Sequence, residues 1–507
     1  MALVTCNYTC LSPSHDLQRW NKIIKAQVLK GNAEHAIQSY IDMQRLGFCA
    51  DNYTFPILLK AAGNASYLRI GVTLHGQTVK TGFCDHLFVQ TALLKMYSSL
   101  GLLVNARKAF DKMHVRDVVA WNSMLDVYAS GGQMDNAIEI FDTMPLQDLS
   151  SFNIMISGFA GMGSVTSARS VFDGIPEKDI VSWNSMILAC MNAGDVAEAH
   201  TLFEAMPERN VITWNTMIMG YLNNQLPTKA IDLFYKMKAG NTKPDYLTVT
   251  GALSACTHLG SLETGIEIHT YAKMLGQASS PHAVTALIDM YAKCGSIGSS
   301  LEVFYKSKVK DIYCWNAILS GVALHGFGSA ALKLLGQMRE NRIKPDDITF
   351  IALLSACSHA GLVEEGCQLF ACMGKQYGIT PKAEHYGCMV DLLSKARLFD
   401  SALQLIETMS FEPGESVLGA LLGACVIHQD LENGEKAMKL IMDRACSLSD
   451  GEYMMFANLY ASCGQWEEAQ RWRNMMNDSG IVKTAGCSEI QINGRVHKFL
   501  AGEIGRD

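Results

Sequence analysis

Two Cys-x-His pairs carry the residue types that most readily bind zinc. Cys256 and His258 form one pair, and Cys357 and His359 form the other, 101 residues later. Both pairs fall in segments whose apolar spacing predicts helices, where residues i and i+2 point to different faces. Their recurrence at a fixed separation favours one equivalent position in two repeats. We therefore predict that they are core residues and that no metal is bound.

Known catalytic motifs are missing from the sequence. A zinc-dependent cytidine deaminase needs H-x-E and P-C-x-x-C, because the metal generates hydroxide and the glutamate transfers protons. Neither H-x-E nor C-x-x-C occurs, and there is no Walker A loop, G-x-S-x-G or H-E-x-x-H. The sequence therefore predicts a protein that is not an enzyme and that needs no cofactor.

A Trp-Asn dipeptide marks an internal repeat. It begins at Trp20, Trp121, Trp183, Trp214 and Trp315, with Phe152-Asn153 as a variant. The successive spacings are 101, 31, 31, 31 and 101 residues, and 101 is the length of two 35-residue units and one 31-residue unit. Self-similarity at this period indicates a solenoid, in which each unit buries its apolar face against its neighbours.

The unit at residues 118–148 shows what one repeat contains. Its first half has apolar residues at i, i+3, i+4 and i+7, which is one face of a helix: Trp121, Met124, Leu125 and Tyr128. Gly131-Gly132 then interrupts the pattern, which resumes with the same spacing and ends at Pro145. We expect each unit to be a helical hairpin and the chain to be an all-α superhelical solenoid of helix-turn-helix repeats.

Composition narrows the class of protein. The chain has 507 residues, of which 49% are apolar and 18% are charged, so it is too apolar for a disordered protein and too long for one core. No uncharged apolar run reaches the 18 residues of a membrane helix. The 16 cysteines, without a secretory signal, favour a reducing compartment. A net charge of −7 argues mildly against binding nucleic acid chiefly through its phosphates.

The repeat lengths, the opening W-N-x-M/L-I/L and the closing F-x-x-M resemble the plant pentatricopeptide-repeat (PPR) family, in its PLS subfamily of mixed 35- and 31-residue repeats. The resemblance implies a short leader or remnant targeting segment at 1–16 and twelve repeats of the P, L and S types over 17–414. The repeats run 17–51, 52–86, 87–117, 118–148, 149–179, 180–210, 211–245, 246–280, 281–311, 312–346, 347–382 and 383–414.

The segment after the repeats resembles the E1 and E2 motifs of editing-type family members. These motifs imply a TPR-like helical docking region at 415–484 and a partial E+-like tail at 485–507, without the DYW deaminase domain of many relatives. The tail departs from the family pattern at Ala485, Glu489 and Lys498, where the family has Pro, Trp and an acid. Alternating apolar residues on both sides of Asn493-Gly494 predict a short terminal β-hairpin.

Members of this family read single-stranded RNA at one base per repeat, with the fifth and last residues of each repeat against the base edge. An Asn amide offers both a donor and an acceptor, and an Asp carboxylate can fix its orientation. The resemblance implies eight base-reading pairs: Asn21 with Asp51, Thr91 with Asp117, Asn122 with Asp148, Asn153 with Asp179, Asn184 with Asn210, Asn215 with Asp245, Thr285 with Asp311, and Asn316 with Asp346.

Helix capping is the alternative interpretation of these pairs, because Asn and Asp are also ordinary N-cap residues. Eight pairs at two fixed positions favour base reading. The family code associates Thr/Asp with G, Asn/Asp with U over C, and Asn/Asn with C over U. Three repeats are expected to read weakly or not at all, and they carry Pro56/His86, Thr250/Ser280 and Ile351/Lys382. The expected RNA is Y-N-G-U-U-C-U-N-G-U-N-N, ending four bases before an edited C.

The resemblance therefore implies a factor that selects cytidines in organellar transcripts for C-to-U editing, with a mitochondrion favoured over a chloroplast. Its partners would be single-stranded organellar RNA, a DYW-type deaminase acting in trans and other editing factors, with no membrane and no small-molecule substrate. Two alternatives stay open: an organellar RNA stability or splicing factor without editing, and a helical-repeat scaffold that binds proteins. The E-like extension argues against the first, and the eight fixed pairs argue against the second.

Overall fold

The computed structural model describes residues 14–240, 242–308, 310–443, 448–482, 486–492 and 495–500. The chain divides into two compact units, Met1–Asn224 and Gln225–Asp507. In both units the described residues form α-helices that follow one another in short antiparallel pairs. The predicted all-α fold of repeated helical hairpins is confirmed. None of the helices within the described ranges is long and apolar enough to cross a membrane.

The first unit contains thirteen of the described helices. They are α1 (Ser14–Leu29), α2 (Ala33–Arg45), α3 (Thr54–Asn64), α4 (Leu68–Lys80), α5 (Leu87–Ser99), α6 (Leu103–Asp111), α7 (Val118–Ser130), α8 (Met134–Thr143), α9 (Leu149–Gly161), α10 (Val165–Asp173), α11 (Ile180–Asn192), α12 (Val196–Ala205) and α13 (Val211–Asn223).

The second unit continues the same pattern and adds two strands. Its described elements are α14 (Pro227–Ala239), α15 (Tyr246–Leu259), α16 (Leu262–Met274), α17 (Pro281–Lys293), α18 (Ile297–Lys306), α19 (Ile312–Leu324), α20 (Gly328–Glu340), α21 (Asp347–Ala360), α22 (Val363–Tyr377), α23 (Ala383–Lys395), α24 (Phe399–Glu407), α25 (Glu415–His428), α26 (Leu431–Met442), α27 (Asp450–Ser462), α28 (Trp466–Asp478), β1 (Cys487–Ile492) and β2 (Arg495–Leu500).

The repeat at 118–148 shows how the sequence makes each hairpin. Helix α7 begins after Asp117, whose side chain caps its first turn, and ends at the glycine pair. Gly132 has φ of 70°, a left-handed conformation that favours glycine, and it turns the chain into α8. Met124 and Leu125 have 0% exposure, as the apolar spacing predicts. Each expected repeat range contains two helices, which in 211–245 belong to different units, and α1 begins before the expected start at residue 17.

Aromatic contacts join consecutive repeats and explain why the Trp-Asn dipeptide recurs. A Phe from the second helix of one repeat meets the ring of the next Trp edge-on, with centroid distances of 4.7 to 5.1 Å. The pairs are Phe110 with Trp121, Phe172 with Trp183, Phe203 with Trp214, and Phe304 with Trp315. Such pairs contribute about 0.5–1.5 kcal/mol beyond the burial of their area. The Trp is therefore a packing residue between repeats.

The terminal strands pair antiparallel, with Cys487 opposite Leu500 and Ile492 opposite Arg495. The predicted hairpin thus has its two strands among the described residues. The expected turn at 493–494 lies outside them, as do residues 1–13 of the expected leader and residue 485 of the tail.

Candidate functional site

The two Cys-x-His pairs are split between the core and the surface. Cys256 in α15 and Cys357 in α21 have 0% exposure, whereas His258 and His359 are exposed. Burial raises the pKa of Cys256 to about 12 and that of Cys357 to about 11, so both thiols stay protonated at neutral pH. Nowhere in the described ranges do three His, Cys, Asp or Glu side chains come together. Both cysteines act as core residues.

Asn122 and Asp148 meet at the junction between two repeats. Asp148 is the N-cap of α9, and its Oδ1 accepts the backbone N–H of Ser151 at 2.9 Å. The same Oδ1 accepts a hydrogen bond from Asn122 Nδ2 at 2.9 Å. The Ser151 hydroxyl lies 2.7 Å from Asn122 Oδ1 and 2.9 Å from Asp148 Oδ1. One amide, one carboxylate and one hydroxyl thus form a three-residue polar cluster.

The same cluster recurs at the other end of the first unit. Asn21 Nδ2 lies 3.3 Å from Asp51 Oδ1, and the Thr54 hydroxyl donates to Asn21 Oδ1 at 2.7 Å. Asp51 Oδ1 also accepts the backbone N–H of Thr54, the first residue of α3, at 2.7 Å. The geometry therefore belongs to the repeat and not to one local sequence.

A third copy lies in the second unit. Asn316 Nδ2 is 3.1 Å from Asp346 Oδ1, and the Thr349 hydroxyl is 2.6 Å from Asn316 Oδ1. Asp346 caps α21 by accepting the backbone N–H of Thr349 at 2.8 Å. Asn316 has 6% exposure and Thr349 has 0%, so the cluster is largely withdrawn from water.

Hydrogen bonds favour the ionised form of two of the capping carboxylates, Asp148 and Asp179. Partial burial acts to raise the pKa of Asp148, but the bonds from Asn122 and Ser151 outweigh it and hold the pKa below its ordinary value. For Asp179, burial also acts to raise the pKa, but hydrogen bonds from Ser182 and Asn153 outweigh it and lower the pKa. Both groups are therefore negatively charged acceptors at neutral pH.

In two further pairs, Asn153 with Asp179 and Asn184 with Asn210, the hydroxyl of the following third-position residue contacts the capping side chain. Ser182 donates to Asp179 Oδ1 at 2.7 Å, and Thr213 donates to Asn210 Oδ1 at 3.1 Å. Within the described chain, Asn153 Oδ1 and Asn184 Oδ1 are buried without a hydrogen-bond partner. A buried amide oxygen without a partner costs free energy, so these atoms are suited to accept from a ligand.

The two Thr pairs have another geometry. The Thr91 hydroxyl donates to the backbone carbonyl of Leu87 at 2.9 Å, and the Thr285 hydroxyl lies 3.0 Å from the carbonyl of Pro281. Their partners Asp117 and Asp311 cap α7 and α19. With its proton engaged by a carbonyl, each Thr hydroxyl presents lone pairs to its surroundings.

The remaining expected pair, Asn215 with Asp245, is divided between the two units. In its own unit, Asp245 caps α15 and accepts the backbone N–H of Thr248 at 2.9 Å. Asn215 has 9% exposure in the first unit. Among the weaker repeats, His86 Nε2 lies 3.1 Å from Asn52 Nδ2, and Lys382 forms an ion pair with Asp347.

An exposed apolar side chain stands one helical turn before most of the fifth-position residues. It occupies the second position of the repeat, and residues i and i+3 lie on the same helix face. The row consists of Tyr53 (65% exposed), Phe88 (64%), Val119 (54%), Val181 (56%), Ile212 (63%), Leu247 (47%), Tyr313 (64%) and Ile348 (49%). Within each unit, apolar groups this exposed at one position of the repeat mark surfaces suited to flat apolar ligands.

Sequence reasoning missed this row and the third-position hydroxyl. Both can be found once the repeat register is known, since D-x-x-S/T is a capping signal and the second position is regularly apolar. Each complete cluster uses one N–H and one oxygen lone pair of its Asn. The amide therefore retains one donor and one acceptor, and for Asn122 and Asn316 these lie one helical turn after an exposed apolar side chain, Val119 or Tyr313.

Helical hairpins of 31 and 35 residues, with a polar cluster at three of their junctions, define a helical-repeat protein. The family model of the PPR repeat matches residues 91–118, 119–148, 150–180, 181–211, 282–312, 348–376 and 384–411. The PPR repeat family model matches 209–258 and 310–359, and the E motif model matches 428–491. The chain belongs to the pentatricopeptide-repeat family and carries its E motif.

Curated relatives from Arabidopsis thaliana match nearly the whole chain. Pentatricopeptide repeat-containing protein At3g29230 is 46% identical over 486 residues, which cover 94% of this chain and 80% of the relative. The chloroplastic protein At1g08070 is 38% identical over 526 residues, covering 96% and 71%. The mitochondrial protein At2g22410 is 36% identical over 495 residues, covering 98% and 63%.

Solved structures show the same fold at low sequence identity. Maize pentatricopeptide repeat protein PPR10 superposes with a TM-score of 0.58 at 20% identity, covering 94% of this chain and 76% of that chain. The structure of PPR10 in complex with an 18-nt psaJ RNA element has a TM-score of 0.50 at 19% identity, covering 93% and 76%.

Proposed function

We propose that this protein binds single-stranded RNA in a sequence-specific manner and reads one base per repeat with the eight expected pairs. The observation that carries the proposal is the polar cluster at the repeat junction, which leaves a donor and an acceptor on a fixed Asn beside an exposed apolar side chain. A nucleobase has a flat apolar face and a polar edge, so it matches both features. The RNA complex of the structurally similar maize protein supports this function.

The chemistry of the clusters supports the base assignments. Guanine presents two adjacent N–H donors, and the Thr91/Asp117 and Thr285/Asp311 pairs present hydroxyl lone pairs and a carboxylate, which accept them. A pyrimidine edge carries both donors and acceptors, and the remaining N–H and lone pair of an Asn are complementary to it. Because affinity then comes from base edges and stacking, the net charge of −7 is compatible with RNA binding.

We further propose that the protein selects cytidines for C-to-U editing in an organelle and recruits a DYW-type deaminase in trans, with other editing factors as further partners. The E motif supports this role. The segment 415–484 exposes apolar side chains to solvent, among them Ile427 in α25 (69%), Trp466 in α28 (68%) and Val482 after α28 (86%). We assign docking chiefly to this segment and less to 485–507, and the twelve repeats to 17–414.

The cellular location belongs to the same proposal. Relatives with chloroplastic and mitochondrial names support an organelle, and we favour the mitochondrion. Comparing organellar editing with and without the gene across the transcriptome tests the editing role, because a specificity factor should abolish editing at one or a few cytidines only. Unchanged editing at every site would contradict the editing role and would favour a role in RNA stability or splicing.

Gel-shift titration tests RNA reading directly. The full chain should bind Y-N-G-U-U-C-U-N-G-U-N-N more tightly than the same RNA with both G positions changed to A. Equal affinities would contradict the base assignments. An RNA of scrambled sequence serves as the control for binding that depends only on charge.

A further inference from the structure

The third residue of each repeat varies together with the fifth-position residue of the repeat before it. All six Asn are followed by a hydroxyl residue: Thr54, Ser151, Ser182, Thr213, Thr248 and Thr349. The two Thr, Thr91 and Thr285, are followed by Ala120 and Cys314. A hydroxyl therefore accompanies an amide and is absent where the reading residue carries a hydroxyl of its own.

The geometry gives a reason for this pairing. An Asn amide can turn over and exchange its oxygen and nitrogen, which would exchange the donor and acceptor that it presents to a base. In the cluster of Asn122, the ionised carboxylate of Asp148 can only accept, so Nδ2 faces it at 2.9 Å. The Ser151 hydroxyl supplies a proton to the other end of the amide, Oδ1, at 2.7 Å.

Ser151 is well placed to supply that proton. Its Oγ accepts the backbone N–H of Asp148 at 3.2 Å, which leaves the hydroxyl proton for the surrounding oxygens. The side chain has 0% exposure, so water does not compete for it. Thr54 and Thr349 repeat this arrangement with Asn21 and Asn316.

The Thr repeats do not need such a residue. Thr91 donates its proton to the carbonyl of Leu87 at 2.9 Å, within its own helix. Unlike an amide, a hydroxyl group has a single polar atom, so turning it does not exchange a donor for an acceptor. Thr91 therefore needs no hydroxyl to orient it, and Ala120 is sufficient at the third position.

We propose that three of these residues, Thr54, Ser151 and Thr349, are positioning residues for base reading: each holds the amide of the preceding Asn in one orientation. The inference rests on the proposed RNA reading and adds a residue to three of the eight reading pairs. Ser151 touches no base and acts only through Asn122.

The test compares Ser151→Ala with Ser151→Thr and with a matched control, Ser182→Ala. Ser151 and Ser182 occupy the same position, both have 0% exposure, and both hydroxyls lie within hydrogen-bond distance of the capping carboxylate. The Ser151 hydroxyl also lies 2.7 Å from Asn122 Oδ1, whereas Asn153 Oδ1, the counterpart beside Ser182, is buried without a hydrogen-bond partner. Affinities of the full chain are measured for RNAs with U or C at the fourth base, and at the fifth base for the control.

Ser151→Ala should reduce the preference for U over C at the fourth base by about threefold to tenfold, the value of one hydrogen bond. Ser151→Thr should restore it, and Ser182→Ala should leave the fifth-base preference unchanged. Equal effects of the two Ala variants would overturn the proposal, because the cap would then be the cause. An unchanged preference in Ser151→Ala would also overturn it. A wild-type chain without any fourth-base preference would instead refute base reading itself.

Discussion

Replacing Asp117 by Asn separates helix capping from the proposed reading of guanine. Asp117 Oδ1 accepts the backbone N–H of Ala120 at 2.8 Å, and an Asn oxygen can accept the same bond. Asn and Asp are equally good N-caps, so the free energy of unfolding should change by less than about 0.5 kcal/mol. The variant differs in its second polar atom, which becomes an N–H donor in place of a carboxylate oxygen.

This exchange should shift the preference at the third base from G to A. Guanine N1–H and N2–H need acceptors, whereas adenine N1 needs a donor. The Thr91 hydroxyl proton is engaged by the Leu87 carbonyl at 2.9 Å, so Thr91 cannot supply that donor. The loss for G should be about 1–3 kcal/mol, which is about 5- to 150-fold in Kd.

The assay is fluorescence anisotropy of the full chain with two RNAs that differ only at the third base, alongside thermal unfolding. Asp117→Ala is the control: it should lose about 0.5–2 kcal/mol of stability through the missing cap and should also lose the G preference. If Asp117→Asn lowers the melting temperature and keeps its preference for G, the carboxylate caps α7 and does not read RNA.

Three further results are expected. Because folding lowers the pKa of Asp148, its stabilisation is complete above the ordinary value of 3.8 and is lost as the pH falls through the lower folded value; melting curves of Asp148→Asn should lack this part of the pH dependence. Phe304→Ala removes a ring with 0% exposure that packs on Trp315 and should cost about 3–5 kcal/mol in chemical denaturation. The purified chain with zinc should bind its RNA and convert no cytidine until a deaminase-bearing partner is added, and deletion of 415–507 should abolish that editing with little change in RNA affinity; editing by the chain alone would contradict this.

The helices could be predicted from the sequence because their signals are local. Apolar spacing around Trp121, the glycine break and the proline after α8 all lie within one 31-residue unit. The polar clusters could not be predicted from the sequence, since Asn122 and Ser151 are 29 residues apart and meet only when two repeats stack. Sequence reasoning also treated capping and base reading as alternatives for Asp148. The structure shows that one carboxylate caps α9 and contacts Asn122, so capping does not count against reading.

In seven of the eight proposed reading pairs, the last residue is also the N-cap of the following helix. This second role limits which residues the position can hold if the proposed RNA specificity is to change. Asp117, Asp148 and Asn210 each accept a backbone N–H of the following first turn. Few residue types preserve that bond, and those with a capping side chain are Asp, Asn, Ser and Thr. Exchanging one of these capping residues for another should alter which RNA base edge is recognised, while the next hairpin stays folded. The proposed RNA specificity can therefore be changed at this position one repeat at a time, and the exchange of Asp for Asn is isosteric.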